Sequence, residues 1–311
     1  MEIPGTPDGW TRLTVELDGR AASKDLSRYA RRWFVAASKG PLKDLFSDLQ
    51  RGPKLSRHIF GSGASGKPWG EPGGLWASLL RFNQSHGKAT GKRVWSPRAW
   101  DEFIAALDDL PLGVELRIFE LDENGIWTQD KVTVSMQRVS PDGQWFRARC
   151  VVTAGPLGPK NRVAKFGAND MVGLLRDCSA DIPATFGCVT DDGGAHGTTG
   201  LEDRLYISAE AGIQSSPEIL RGYPWITICP PGLAERLGGL AAIRATGAFY
   251  EVSSLRAGGL WLQATERIED YEGEALRRVF RVLAPVLPPG RPEPYVGTEL
   301  HRIIYKDARN M

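Results

Sequence analysis

"PWITICPPGLAERLGGLAAIRATGAFYEVSSLRAGGLWLQATE", residues 224–266, is the stretch that decides the fold. It opens on an apolar run, Pro224 to Cys229, that reads as a strand and stops at Pro230-Pro231, which cannot donate ladder hydrogen bonds. Residues 232–247 then place Leu233, Leu237, Leu240 and Ile243 at helical spacing, which predicts one helix with one buried face. "AFYEVSSL" and "LWLQATE", joined through Gly258-Gly259, read as a hairpin. Downstream, "EGEALRRVFRVLAPVL" (272–287) is a second amphipathic helix. This ferredoxin-like β-α-β-β-α order packs naturally as an antiparallel sheet with helices on one face, so the expected class is α+β.

Upstream, "WTRLTVELDG" (10–19) alternates Leu13, Val15 and Leu17 on one face and reads as a strand. "SKDLSRYARRWFVAAS" (23–38) reads as a helix with Ser23 as its N-cap. Residues 51–96, rich in Gly, Lys, Ser and Pro, read mainly as an irregular loop. "SPRAWDEFIAALDDLP" (96–111) has a capping Ser96, Pro97 at the first helical position and a stripe of Trp100, Phe103, Ile104 and Leu107. Three strands follow at 113–121, 130–139 and 145–153, separated by Glu-Asn-Gly and Pro-Asp-Gly turns, an antiparallel meander. A helix at 168–182 and a short strand "TFGCVT" (185–190) complete the reading. The repeated order suggests two lobes of antiparallel sheet: residues 1–160 with the basic insertion 51–96, and residues 161–311.

The bulk properties are those of a soluble globular protein, with 41% hydrophobic and 24% charged residues and no apolar run long enough to span a bilayer. "MEIPGTPDGW" has neither a basic n-region nor an apolar h-region, so a cytoplasmic location is expected. Cys150, Cys178, Cys188 and Cys229 form no CxxC pair and sit in apolar runs, as buried free thiols do. Charge is unevenly spread. Residues 20–100 hold sixteen Lys/Arg against four acids, a surplus of twelve, so the rest of a chain of net charge +2 carries −10.

The segment around 224–290 resembles the DUF3396 family, type VI immunity proteins for VRR-Nuc effectors. The matching positions are Trp225, Pro230, Leu237-Gly238-Gly239, Gly258-Gly259, Glu269-Asp270 and Leu283-Ala284-Pro285-Val286, and the likeness extends over roughly residues 161–290. The resemblance implies a protein without enzymatic activity that binds a nuclease effector and blocks it, with no cofactor.

The side chains that could carry chemistry fall into three groups. "GSGASGKPWG" (61–70) spells most of a phosphate loop, but Pro68 stands where the Mg²⁺-binding hydroxyl belongs, and no strand–helix frame surrounds it. Its Lys67, with Lys88, Lys92 and Arg93, lies among aromatic residues and could instead contact nucleic acid. His196, between Asp191-Asp192 and Glu202-Asp203, lies in a glycine-rich loop without ligand spacing, so no metal is expected; no nucleophile motif is present either. Nucleases present basic grooves, and acids can enter them. The candidate partner-binding residues are therefore Asp191, Asp192, Glu202, Asp203, Glu269, Asp270 and Glu272, and the partner expected is a cognate toxin or effector.

Overall fold

In a computed structural model, residues 11–52, 68–82, 89–109, 112–139, 143–155, 162–163, 166–193, 197–294 and 300–311 are described. The fold is α+β. The described strand pairs are antiparallel, and the chain divides into two compact units. One comprises Ala21–Leu174; the other takes Leu175–Met311 together with Leu13–Arg20 from near the N-terminus.

In chain order the elements begin with β1 (Thr11–Arg20), α1 (Ser23–Lys39) and α2 (Lys43–Arg51). Helix α1 buries Leu26, Ala30, Trp33, Phe34 and Ala37 at helical spacing. Ser23 is its first helical residue, and the N-cap position belongs to Ala22, whose side chain makes no cap bond. Within residues 51–96, read mainly as loop, lie two strands, β2 (Leu75–Phe82) and β3 (Gly91–Val94). The signal was obscured because Leu75 to Leu80 are buried in succession, without the alternation that marks a half-exposed strand.

Helix α3 (Pro97–Ala105) starts as expected, with Ser96 Oγ accepting from the Ala99 N–H at 3.1 Å. The meander is β4 (Gly113–Leu121), β5 (Trp127–Arg138) and β6 (Trp145–Ala154), and the N-terminal unit's sheet runs β3-β2-β4-β5-β6. Its helices take one face. Arg93 of β3 pairs with Glu102 of α3, and Tyr29 of α1 meets Phe146 of β6 with ring centroids 5.9 Å apart. Register places Arg93 beside Leu79, so Lys92, Leu80, Ser78 and Trp76 lie on the other face.

Next come α4 (Ala168–Ser179), β7 (Ala184–Thr190), α5 (Gly200–Arg204), α6 (Ala209–Ser215) and β8 (Ile226–Cys229). The single helix expected over 232–247 is two, α7 (Pro231–Arg236) and α8 (Gly239–Ala245). Gly238 and Gly239 both have positive φ, +87° and +79°, and a Cβ on Gly238 would lie 2.7 Å from that of Ala242. The apolar spacing carries across so short a break and hides it. The hairpin β9 (Glu251–Ser254) and β10 (Leu260–Gln263) and helix α9 (Gly273–Leu283) follow as read. This unit's sheet runs β1-β7-β8-β10-β9. All four cysteines are buried and free. Among the described residues no helix is long and apolar enough to cross a membrane.

Candidate functional site

The densest charge in the C-terminal unit is inside it. Strand β1 turns Leu13, Val15 and Leu17 to one side, and Glu16 and Asp18 to the other, where all polar reading would put solvent. Both are buried, against Arg221, whose side chain is 0% exposed. Arg221 Nη1 donates to Glu16 and Asp18, and its Nε and Nη2 form a two-pronged pair with Glu202, 2.7 Å each. The guanidinium carbon lies 5.0 Å from the centroid of the Phe186 ring. Burial alone would pull the Arg221 guanidinium down, but Asp18, Glu16 and Glu202 outweigh it and hold it well above its ordinary value.

Glu202 is fixed from its own helix as well. Thr199 and Glu202 form a reciprocal capping box at the start of α5: the Glu202 N–H donates to Thr199 Oγ1 at 3.1 Å, and the Thr199 N–H to Glu202 Oε2 at 2.8 Å. Thr199 Oγ1 in turn donates to the Arg221 carbonyl at 2.7 Å. With its side chain 1% exposed and both oxygens engaged, Glu202 leaves the group of acids that a partner could touch. Sequence reasoning placed it in a loop because glycines surround the T-x-x-E pattern of Thr199–Glu202, although that pattern was a helix-start signal. Nothing in the period of the sequence marked Arg221.

The other acids separate into two places. Asp191 holds Arg302 in a two-pronged pair, Nε and Nη2 each at 2.6 Å, and Arg302 also donates to the Tyr271 carbonyl. Asp192 accepts the Arg302 backbone N–H at 2.8 Å. Burial, then the charge of Asp191, push the Asp192 carboxyl above its ordinary value, against the pull of Arg302 and His301. Thr198 donates to Asp203 at 3.5 Å. These acids therefore tie the chain to itself. Glu269, Asp270 and Glu272 are exposed, on the turn Ile268–Asp270 and at the N-cap position of α9; Glu269 meets only Arg267, at 3.4 Å, a surface pair. They are the acids that remain open to a partner.

Of the basic residues, Lys67 and Lys88 lie outside the described residues, as do most of "GSGASGKPWG" and His196. Arg93 is paired with Glu102 on the helix face, and Lys92 lies on the opposite face. Burial pushes the Cys150 and Cys229 thiols up to about 12, so neither is a thiolate at neutral pH. No group of three or more His, Cys, Asp and Glu that could hold a metal occurs among the described residues.

No family model matches the chain, and no curated protein does. Among solved structures, the chain is similar to the Pseudomonas aeruginosa T6SS protein PA0821, with a TM-score of 0.51 and 13% identity, over 90% of this chain and 77% of that one. At this identity the likeness is one of fold.

Proposed function

We propose that this chain is a type VI immunity protein, which acts in the cytoplasm by binding a cognate effector and blocking it, with no catalysis of its own. The observation that carries the reading is the likeness of fold, which agrees with what the sequence resemblance implies. The motif positions over 161–290 resemble an immunity family, and the fold over 90% of the chain is that of a protein whose name assigns it to a type VI system. The structure supplies physical reasons for several of these motif positions. Gly238 and Gly239 break a helix, and Gly259 at φ +83° would set a Cβ against the Cys229 carbonyl. Tyr271, just after Glu269-Asp270, donates from its hydroxyl to the Tyr223 carbonyl at 2.5 Å.

Exposed Glu269, Asp270 and Glu272 offer a basic nuclease surface one contact region, and opposite charge speeds encounter. The test is co-expression with a toxin gene found beside this one: cells carrying both should survive and cells carrying the toxin alone should die, and the absence of any toxin gene there would count against the proposal. Death of cells that make both proteins in soluble form would contradict the proposal.

A further inference from the structure

Residues 300–306, "LHRIIYK", belong to the C-terminal unit but join neither its sheet nor a helix. Among the described residues no backbone-to-backbone hydrogen bond links them to the rest of the unit. Side chains make the attachment instead. Arg302 Nε and Nη2 donate to Asp191 at 2.6 Å each, and Nη1 donates to the Tyr271 carbonyl. The guanidinium carbon lies 5.7 Å from the centroid of the Tyr271 ring.

The backbone of the segment is read at every second residue. The Arg302 N–H donates to Asp192 Oδ2 and the Ile304 N–H to Tyr223 Oη, 2.8 Å each, as alternate N–H groups on one side of an extended segment do. A Cβ on Gly200 would lie 3.2 Å from Cδ1 of both Leu300 and Ile303, so the bare glycine is where the two aliphatic chains rest. Asp191, Asp192, Gly200, Tyr223 and Tyr271 together form a seat, and the segment fills it.

The seat selects by chemistry. A two-pronged carboxylate with a carbonyl and a ring beside it matches the planar guanidinium fork, and an ammonium satisfies only part of it. The two carboxylates repel a phosphate chain, which excludes nucleic acid. Residues 300–311 carry Arg302, Lys306 and Arg309 against Asp307, three basic residues to one acid, and the exposed Asp270 and Glu272 flank Tyr271 of the seat. The segment therefore has the charge of the basic surface that the immunity reading assigns to the effector. It is also only partly buried at Arg302, Ile303, Ile304 and Tyr305. A segment held through a few side chains opens at less cost than the sheet beneath it.

We propose that residues 300–306 are an exchangeable strap, which fills in cis a site that takes an extended, arginine-bearing segment of the effector in its place. The identity of the partner rests on the immunity reading; the exchange of the strap does not. The test uses the full chain and a dye-labelled, blocked heptapeptide, Leu-His-Arg-Ile-Ile-Tyr-Lys, followed by fluorescence polarisation. Arg302→Gln should loosen the strap and free the seat, so this variant should bind the peptide at least about tenfold tighter than the wild-type chain does. The peptide with Gln in place of Arg should bind neither chain, and adding Asp191→Asn to Arg302→Gln should abolish binding. In the wild-type chain, the Arg302 and Ile304 amides should exchange with deuterium at least about tenfold faster than those of Ile226–Cys229 in β8.

No binding to the Arg302→Gln chain, equal binding of the Gln peptide, or amide protection equal to that of β8 would overturn the proposal. So would an Arg302→Gln chain that fails to fold, because a strap that the fold cannot release is not exchangeable. Asp191→Asn alone is then compared with wild type in the co-expression assay. If the wild-type chain fails to protect, the immunity reading is lost while the exchange result stands. If it protects and Asp191→Asn protects equally, the seat is not where the effector docks, and this proposal alone is lost.

Discussion

The Arg221 centre and an aromatic cleft on the sheet of the N-terminal unit both set cations against rings, and they do opposite things with them. Arg221 spends its guanidinium on three buried carboxylates and lies over Phe186, fully shielded. Lys92 and Arg117 line a cleft walled by tryptophans and open to solvent. Charge that is buried with its partners is committed to folding, because removing one member strands the others in a medium that solvates them poorly. Charge at a cleft open to solvent is screened by water, so its pairs contribute little to folding.

The difference can be broken first at Arg221. Arg221→Leu should cost about 3–5 kcal/mol or prevent folding, since Glu16, Asp18 and Glu202 lose their shared donor. Urea denaturation measures it, and Arg221→Lys should fall between, keeping the charge but losing the two-pronged bond to Glu202. A smaller blow comes from outside the ion group. Gly212→Ala would place a Cβ on Glu202 Oε1, so it should cost about 1–3 kcal/mol by displacing that carboxylate. Stability equal to wild type would show that Glu202 is not held where the structure puts it.

Surface pairs sharpen the contrast with acid. Glu251 accepts two hydrogen bonds from Arg176, which lower its carboxyl below the ordinary value against the opposing effect of partial burial. A lowered carboxylate contributes stability above its unfolded value and loses it as pH falls through the folded one. Both partners are part-exposed, so the pair should be worth only about 0.2–1 kcal/mol at neutral pH. In Arg176→Ala the fall of the urea midpoint on acidification should be correspondingly shallower. An effect of similar order belongs to the cleft: Trp127→Ala should cost about 0.5–1.5 kcal/mol, because the half-exposed ring loses its edge contacts with Trp69 and Phe119. No loss of stability there would show that these ring contacts do not hold in solution.

Where the sequence alternates or repeats at helical spacing, the structure follows it: β1, the β4–β6 meander, α3 with its Ser96 cap, and the β9–β10 hairpin all lie where the residues point. Among the elements that escaped, two show why. Strand β2 is apolar on both faces, so the period-two signal that identifies a strand is missing. The α7–α8 break is a backbone event at two glycines, and the side-chain period runs straight through it. The site was less legible than the fold, for a related reason. Glu16 and Asp18 alternate with Leu and Val as solvent-facing residues do, and only the arrival of Arg221 from some two hundred residues away makes their burial tolerable. The cleft likewise gathers Trp69, Phe119 and Trp127 from separate elements, through pairings that no local window contains.

The claim on which the account rests is that this chain recognises and silences an effector. The most direct measurement is survival of cells that co-express it with a toxin gene found beside its own, read together with co-purification of the two proteins. Full protection and a stable complex are the predicted result. Cells that die despite abundant, soluble, folded protein, with no complex recovered, would contradict it.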